Sequence, residues 1–310
     1  MASDQQPDDV IPFVTVTNWI RAAAVCGFNI EPLFREVGLD LTRLHPEQSA
    51  ISVQALRQLL HRCVQEALIR DPHLHFPLVL GETFAFDYLS DVETFITTSP
   101  TLREAAPALQ WMPALINPFM SMALQEHGSE ARIVLGFTHE DATTDDIWPL
   151  AESVFVTFCK FSRFLLGDRL MDARITFQHE ARPGSAQVVQ ALALPVRFGE
   201  AVNALWFDRA LLDVPLRGAL PSLHEAAARR VAEQVAQRAV ASDAAAQAGA
   251  NANGLTAQIE ARLRRHPELL GQGIDPLAAA LGLHPRTLQR RLREEGEQHS
   301  GIVNRVRHDL

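Results

Sequence analysis

The chain has 310 residues, of which 47% are hydrophobic and 21% are charged, and its formal net charge is −9. This length exceeds a usual single domain, so we expect two domains of unequal size. The N-terminus, Met1 to Asp9, is acidic and polar where a secretory signal is basic and then apolar. No apolar run approaches the roughly 20 residues that span a bilayer. These features predict a soluble, cytoplasmic protein that does not contact a membrane.

The first third of the chain is predicted to be helical. Apolar residues recur at helical spacing over 15–28, and a short helix is expected over 31–37. Ser52 is placed to cap a longer helix that ends near Arg70, before Asp71-Pro72. Three cysteines in such apolar helical patterns, Cys26, Cys63 and Cys159, have no Cys-x-x-Cys spacing and are interpreted as reduced core thiols.

The middle of the chain mixes helix and strand. Another helix is predicted over 101–111, and 118–125 with 131–137 should form a β-hairpin around His127-Gly128-Ser129-Glu130. Two more helices are predicted, over 147–166 and 185–191. Three more strands are predicted, at 174–178, 196–198 and 204–207. This order indicates an α+β fold: a helix-rich sensory domain over 10–216 with a small β-sheet covered by helices.

The remainder is predicted to be all-α. An Ala-rich helix over 226–246 and a flexible break at 249–254 form a connecting region, 217–254, before a helix-turn-helix domain at 255–310. This last part carries nine Arg against seven Asp or Glu, so the acidic excess belongs to the larger domain. Local clustering of positive charge, more than net charge, drives binding to DNA phosphates.

Residues 274–293 have the pattern of a helix-turn-helix. Leu277 and Leu281 face inward one turn apart, Ala278 permits close approach of the helices, and Gly282 suits a tight exit with positive φ. The second helix begins at Pro285 and buries its leucines, Leu288 and Leu292.

The opposite face of this second helix is basic. Arg286, Gln289, Arg290 and Arg293 follow i, i+3, i+4, i+7 spacing and project together. Arg pairs with guanine and Gln with adenine, so the pattern predicts contact with promoter DNA in the major groove. The alternative is a solvated Arg face without a DNA partner.

The segment resembles the first helix-turn-helix of AraC-type transcription regulators, at Leu281-Gly282 and from Arg286 to Leu292. The resemblance implies that Arg286, Gln289 and Arg290 contact bases and that Arg291 or Arg293 contacts phosphate. His284 stands where the family usually has a Ser N-cap, which predicts a weaker cap.

The larger domain resembles the N-terminal effector-binding domain of one AraC subgroup. The resemblance rests on element order and on two local patterns, 99–105 and 195–208. It excludes the almost entirely β cupin-type domain that senses arabinose. It implies a small organic effector such as a fatty acid or an amino acid, and a homodimer bound to paired half-sites.

The family's DNA-binding domain has two helix-turn-helix units, and the sequence supplies one. We expect a half-domain truncated after Leu310, which would leave the apolar side of Ile302 and Val306 uncovered. The expected affinity of this piece for DNA is weak.

Candidate effector contacts are few. Lys160, the chain's one lysine, could bind a carboxylate, but a solvated or salt-bridged role is the stronger interpretation. Several large apolar residues could line a pocket, although such residues usually form core: Trp111, Phe119, Met120, Phe155, Phe158 and Trp206. His73 and His75 lack a third ligand at a recognisable spacing, so we expect no metal and no cofactor.

The leading hypothesis is therefore a ligand-responsive transcription regulator. An enzyme is the second hypothesis, although the chain has no nucleophile elbow, His-Glu-x-x-His, phosphate-binding glycine loop or dinucleotide fingerprint. The third is a domain that acts through protein contacts, for example with RNA polymerase.

Overall fold

The computed structural model describes residues 10–39, 49–137, 144–170, 172–252, 255–256, 259, 263, 269–270, 273–281, 283–294 and 296–309. The chain divides into two compact units, Met1–Val235 and Ala236–Leu310.

The first helices confirm the sequence-based expectation. Helices α1 (Val16–Val25), α2 (Glu31–Glu36) and α3 (Val53–Arg70) lie where the apolar periodicity predicts them. The Ser52 hydroxyl accepts the N–H of Ala55 at 3.1 Å, as a capping residue should. Two short antiparallel strands, β1 (Val10–Pro12) and β2 (Ala50–Ser52), escaped the sequence analysis because three residues are too few to show a pattern.

The helices between Phe76 and Ile116 differ more from the sequence-based expectation. Helices α4 (Phe76–Thr83) and α5 (Ser90–Thr97) had not been predicted. The single helix predicted over 101–111 is two helices, α6 (Leu102–Ala105) and α7 (Ala108–Ile116). The division falls at Pro107, because proline has no N–H to continue the helical hydrogen bonds of α6.

A five-stranded sheet forms the centre of the first unit. The predicted hairpin is β3 (Met120–His127) with β4 (Glu130–Phe137), and Gly128 takes the positive φ that its turn requires. The other strands are β5 (Arg174–Thr176), β6 (Val196–Arg197) and β7 (Asn203–Asp208), and helix α9 (Ser185–Leu192) connects β5 to β6. The order is β3-β4-β7-β5-β6, with the β5–β6 pair alone parallel. The predicted α+β class is confirmed.

Helix α8 (Thr144–Leu166) joins the core of the sheet to that of the helices. Its residues Phe155, Val156 and Cys159 are fully buried in the cluster that includes the inner sheet residues Leu135 and Ile175. Helix α4 packs closely on the other side of α8. A Cβ at Gly81 would stand 2.6 Å from the carbonyl oxygen of Ser153, so only glycine fits there without displacement.

Helix α10 (Pro221–Ala252) is longer than the helix predicted over 226–246. The expectation of a flexible break at 249–254 is wrong for residues 249–252, which are helical. Residues 253 and 254 lie outside the described part. The alanines around Gly249 favour helix strongly enough to offset the cost of about 1 kcal/mol that one glycine adds. In the first unit, His224, Ala227 and Val231 of α10 are buried.

The second unit contains α11 (Ile274–Ala280), α12 (Pro285–Glu294) and α13 (His299–Asp309). Its core takes residues from each helix and from the segment before them: Leu255, Ile259, Leu263, Leu277, Ala278, Leu288, Leu292, Ile302, Val303 and Val306. The expectation that Ile302 and Val306 lack a covering partner is wrong, because both are fully buried in this cluster.

The cysteines behave as core residues. Cys26, Cys63 and Cys159 are free and buried. Burial raises the pKa of Cys26 to about 11 and that of Cys159 to about 12, which keeps both thiols protonated. In the described part of the chain, no helix is long and apolar enough to cross a membrane.

Two glycine substitutions test the α4–α8 contact. Gly81→Ala should lower the free energy of unfolding of the first unit by about 1–3 kcal/mol, because the new methyl group meets backbone that cannot retreat. Gly301→Ala is the matched change in α13, where the added Cβ meets only Glu297 at 3.8 Å. It should stabilise its unit by about 0.5–1 kcal/mol through helix propensity. Denaturant unfolding followed by circular dichroism measures both. An unchanged or increased stability of Gly81→Ala would contradict the packing described.

Candidate functional sites

A cavity of about 190 Å³ lies within the first unit, between the inner face of the sheet and the helices. The five-stranded sheet contributes Met120, Met122 and Leu124 from β3, Ile133 from β4, and Leu205 and Phe207 from β7. The helices contribute the larger share of the wall, chiefly through α7 and α8: Ala108, Leu109, Met112, Ile116, Leu150, Ser153, Val154, Thr157, Phe158, Phe161, Ser162, Leu165 and Leu166. An engineered apolar cavity of about 150 Å³ holds a benzene molecule, so this space is sufficient for a small ligand.

The cavity wall is almost wholly apolar. Among the described residues that line it, none is Asp, Glu, Lys, Arg or His, and six have polar side chains: Thr15, Asn18, Asn117, Ser153, Thr157 and Ser162. Asn18 is fixed by hydrogen bonds to the backbone N–H and carbonyl of Ala85, and Thr157 donates to the carbonyl of Ser153. Asn117 and Ser153 are buried. These two residues were not predictable from the sequence, because an isolated polar residue in an apolar run carries no periodic signal.

The predicted effector residues are not brought together here. Phe158 and Met120 line the cavity. Phe155 is fully buried behind it, with its ring 5.6 Å from that of Phe177. Trp111 packs on Phe95 at 4.7 Å, and Phe119 packs against the cluster formed by the first helices.

Trp206 lies on the other face of the sheet. The guanidinium groups of Arg132 and Arg174 each lie 4.6 Å from its indole ring, and its Nε1–H donates to Thr176. It follows from this position that Trp206 cannot contribute to the cavity on the inner face.

Lys160 has a structural environment that neither interpretation anticipated. Its ammonium donates to the backbone carbonyls of Glu82 and Phe84 at 2.8 and 2.7 Å. It thereby satisfies carbonyls at the C-terminal end of α4, where a positive charge is favourable. Lys160 is not among the residues that line the cavity.

A cluster of buried polar side chains surrounds Glu152 of α8. Oε2 of Glu152 lies 2.5 Å from Nε2 of His75, and Oε1 lies 3.7 Å from Nε2 of His179. Ser185 Oγ, at the start of α9, donates to Glu152 at 3.4 Å. The ring of His75 stacks on Trp148 at 5.8 Å. All four polar residues are at least nine-tenths buried, so they connect α4, α8 and α9 away from solvent.

This cluster connects helices and leaves no room for a ligand. A Cβ on Gly184 would stand 2.1 Å from the ring of His75, so no space remains beside it. None of its members lines the cavity. In the described part of the chain, no group of three or more His, Cys, Asp or Glu side chains could hold a metal ion.

The basic face of α12 is formed as its spacing predicts. Leu288 and Leu292 are buried, whereas Arg286, Gln289, Arg290 and Arg293 are exposed and border one surface depression. Arg291 is also exposed but does not border that depression.

His284 is the N-cap residue of α12. Its Nδ1 accepts the N–H of Arg286 at 3.3 Å, and its carbonyl accepts the N–H of Leu288 at 3.0 Å. The ring therefore takes the part of the family's serine hydroxyl. Gly282, for which a positive φ was predicted, lies outside the described residues.

Residues 27–216 match the family model described as the arabinose-binding domain of AraC transcription regulators, N-terminal. The chain belongs to this AraC family. No curated protein sequence matches this AraC-type chain. The crystal structure of the transcriptional regulator CdpR from Pseudomonas aeruginosa is similar with a TM-score of 0.47 and 17% identity, over 90% of this chain and 82% of that one. Despite the family's name, the matched region is helix-rich with one small sheet, and not the almost entirely β domain that the sequence analysis excluded.

The buried cluster makes stability sensitive to acid. Burial lowers the pKa of His179 below its ordinary value of 6.5, more than the Glu152 charge raises it. Below pH 6.5, His179 is therefore protonated in the unfolded chain before it is protonated in the folded protein. The free energy of unfolding falls as the pH drops from 6.5 towards the pKa of His179 in the folded state.

We expect His179→Gln to reduce this loss between pH 7 and pH 5, as measured by urea unfolding at each pH. His73→Gln, at an exposed position, is the control and should leave the pH dependence unchanged. An equal slope for wild type and His179→Gln would mean that His179 does not cause the acid sensitivity.

Proposed function

We propose that this AraC-type chain is a transcription regulator that reads promoter DNA with α12 and responds to a small organic molecule held in the cavity of its first unit. The observation that carries the DNA-binding role is the division of α12 into a buried leucine face and an exposed face of Arg and Gln.

The side chains on that face suit base recognition. An Arg guanidinium forms two hydrogen bonds with the O6 and N7 of guanine, and a Gln amide forms two with adenine. Arg286, Gln289 and Arg290 lie on one side of a helix whose other side is fixed by packing, which gives the rigid presentation that specific contacts need. Arg291 points away from this set and is the candidate phosphate contact.

The effector role rests on the cavity. It lies between the sheet and the helices of one unit, and its wall is formed largely by apolar side chains, as is common for small-molecule sites. A ligand bound there would favour one conformation of the unit over another and could thus change the presentation of α12. We propose a homodimer on paired half-sites, because symmetric DNA targets require two copies of a single reading helix.

Substitution of Arg290 tests direct base reading. Arg290→Ala should weaken binding to the target duplex by about 1–3 kcal/mol and relax the preference at one base pair, with little change for random DNA. Arg291→Ala is the matched control on the same helix. It should weaken binding to target and random duplex alike and reduce the salt dependence by about one unit of slope. Fluorescence anisotropy across a salt series, against duplexes carrying single base changes, measures both.

Two results would contradict the assignment. Equal weakening of target and random DNA by Arg290→Ala would make Arg290 a phosphate contact. The absence of any duplex that the chain prefers over random DNA, with or without ligand, would count against a sequence-specific regulator.

A cavity-filling substitution tests the effector site. Ala106 lines the cavity, whereas Ala114 of α7 is exposed. Ala106→Phe should abolish binding of benzene, used as an apolar probe, because the new ring occupies the space. Ala114→Phe should bind benzene as the wild type does. Isothermal titration at matched protein concentration measures the difference. Failure of the wild type to bind benzene would contradict the effector site.

A further inference from the structure

Among the residues that the structure describes, Asn117 is the one amide of the cavity wall whose N–H donor has no hydrogen-bond partner. It follows α7 directly, and its Oδ1 accepts the backbone N–H of Phe119 at 3.0 Å, which fixes the orientation of the amide. The residue is only 8% exposed and lines the cavity. Among the described residues, no acceptor lies within hydrogen-bond distance of its Nδ2.

An N–H donor left open at a cavity wall forms its hydrogen bond with whatever fills the cavity, either water or a ligand atom. The other amide in the wall, Asn18, donates to the carbonyl of Ala85 and accepts from Arg21 and from the Ala85 N–H. Asn117 thus differs from Asn18 in having an open donor at the cavity.

Ser153 supplies a second open group. It is 6% exposed, lines the cavity from α8, and its hydroxyl has no hydrogen-bond partner among the described residues. Thr157, one turn later, instead directs its hydroxyl to the carbonyls of Ser153 and Gly81. The wall therefore combines a large apolar area with two polar atoms, Asn117 Nδ2 and Ser153 Oγ, that have no hydrogen-bond partner in the described part of the chain.

The same wall disfavours charged and highly hydroxylated ligands. No described lining residue carries a charge, so a carboxylate or an ammonium would lose its hydration without gaining a counter-ion. Lys160 does not supply one, because its ammonium is bonded to two backbone carbonyls away from the lining. A pentose would bring several hydroxyls to a wall that offers few partners.

We propose that the cavity binds an uncharged, mainly apolar molecule with a carbonyl-type oxygen, and that the Asn117 amide donates a hydrogen bond to that oxygen. This inference rests on the proposed effector site and narrows its ligand to a class that includes neither sugars nor ionised acids. Ser153 contributes a second, weaker contact to the same polar group.

Three aromatic probes of nearly equal size separate the contributions. Acetophenone carries the acceptor oxygen, α-methylstyrene replaces that oxygen with a methylene group, and benzoate carries a charge. With the full chain in isothermal titration at pH 8, acetophenone should bind about tenfold more tightly than α-methylstyrene, as one hydrogen bond allows. Benzoate and L-arabinose should not bind.

Asn117→Asp is the decisive variant, since its carboxylate still accepts the Phe119 N–H but has no N–H to donate. It should remove the preference for acetophenone, so that this variant binds acetophenone and α-methylstyrene with equal affinity. Asn29→Asp is the matched control, because exposed Asn29 accepts the N–H of Glu31 in the same local geometry. It should preserve the tenfold preference.

The outcomes are distinguishable. Equal binding of acetophenone and α-methylstyrene to the wild type would overturn the role of Asn117 and leave the cavity as a ligand site. Binding of benzoate or L-arabinose more tightly than acetophenone would overturn the uncharged ligand class. If none of the neutral probes binds, the proposed effector site fails together with this inference. The probe comparison uses wild-type protein, so it stands even if Asn117→Asp does not fold.

Discussion

The first unit depends on the close contact of α4 with α8. At Gly81 the two helices approach until no side chain fits between them, and polar contacts reinforce the apolar packing. Lys160 of α8 caps the C-terminal end of α4. Glu152 of α8 contacts the ring of His75, the residue that precedes the first residue of α4. These contacts give hydrogen-bond partners to buried polar groups and to a helix end, which lowers the cost of removing them from water. Because α8 is held in this way, one of its faces can line a cavity instead of filling it.

Charge is distributed differently in the two units. In the first unit the buried polar side chains around Glu152 contact one another, and no described residue of the cavity wall carries a charge. In the second unit, α12 presents its arginines outwards from a core of leucines. A neutral cavity and a basic surface suit different partners, an apolar molecule and a polyanion. Their separation in two units of one AraC-type chain agrees with a division between sensing and DNA binding, which is the proposal that the experiments on Asn117 and Arg290 address.

Secondary structure was predictable where an element is long enough to repeat its hydrophobic period several times. The 18 residues of α3 and the leucine pattern of α12 were legible, because burial on one face imposes a spacing that many residues repeat. The strand β2 and the division of α6 from α7 were not, since three residues show no period and the effect of Pro107 depends on local hydrogen bonding. The cavity was least predictable. Trp206 and Phe158 have similar apolar neighbours in sequence, yet strand register places Trp206 on the outer face whereas Phe158 reaches the cavity.

The sequence by itself determined the α+β class, the long helices, the hairpin and the basic face of α12, because each follows from residue spacing along one element. Tertiary structure alone decided which residues meet. It paired Lys160 with two carbonyls of α4, covered Ile302 and Val306 with leucines from other helices, and left the donor of Asn117 open at a cavity. The physical reason is that partners distant in the chain, such as His75 and Glu152, are chosen by the packing of whole elements. Local pattern carries no information about that choice.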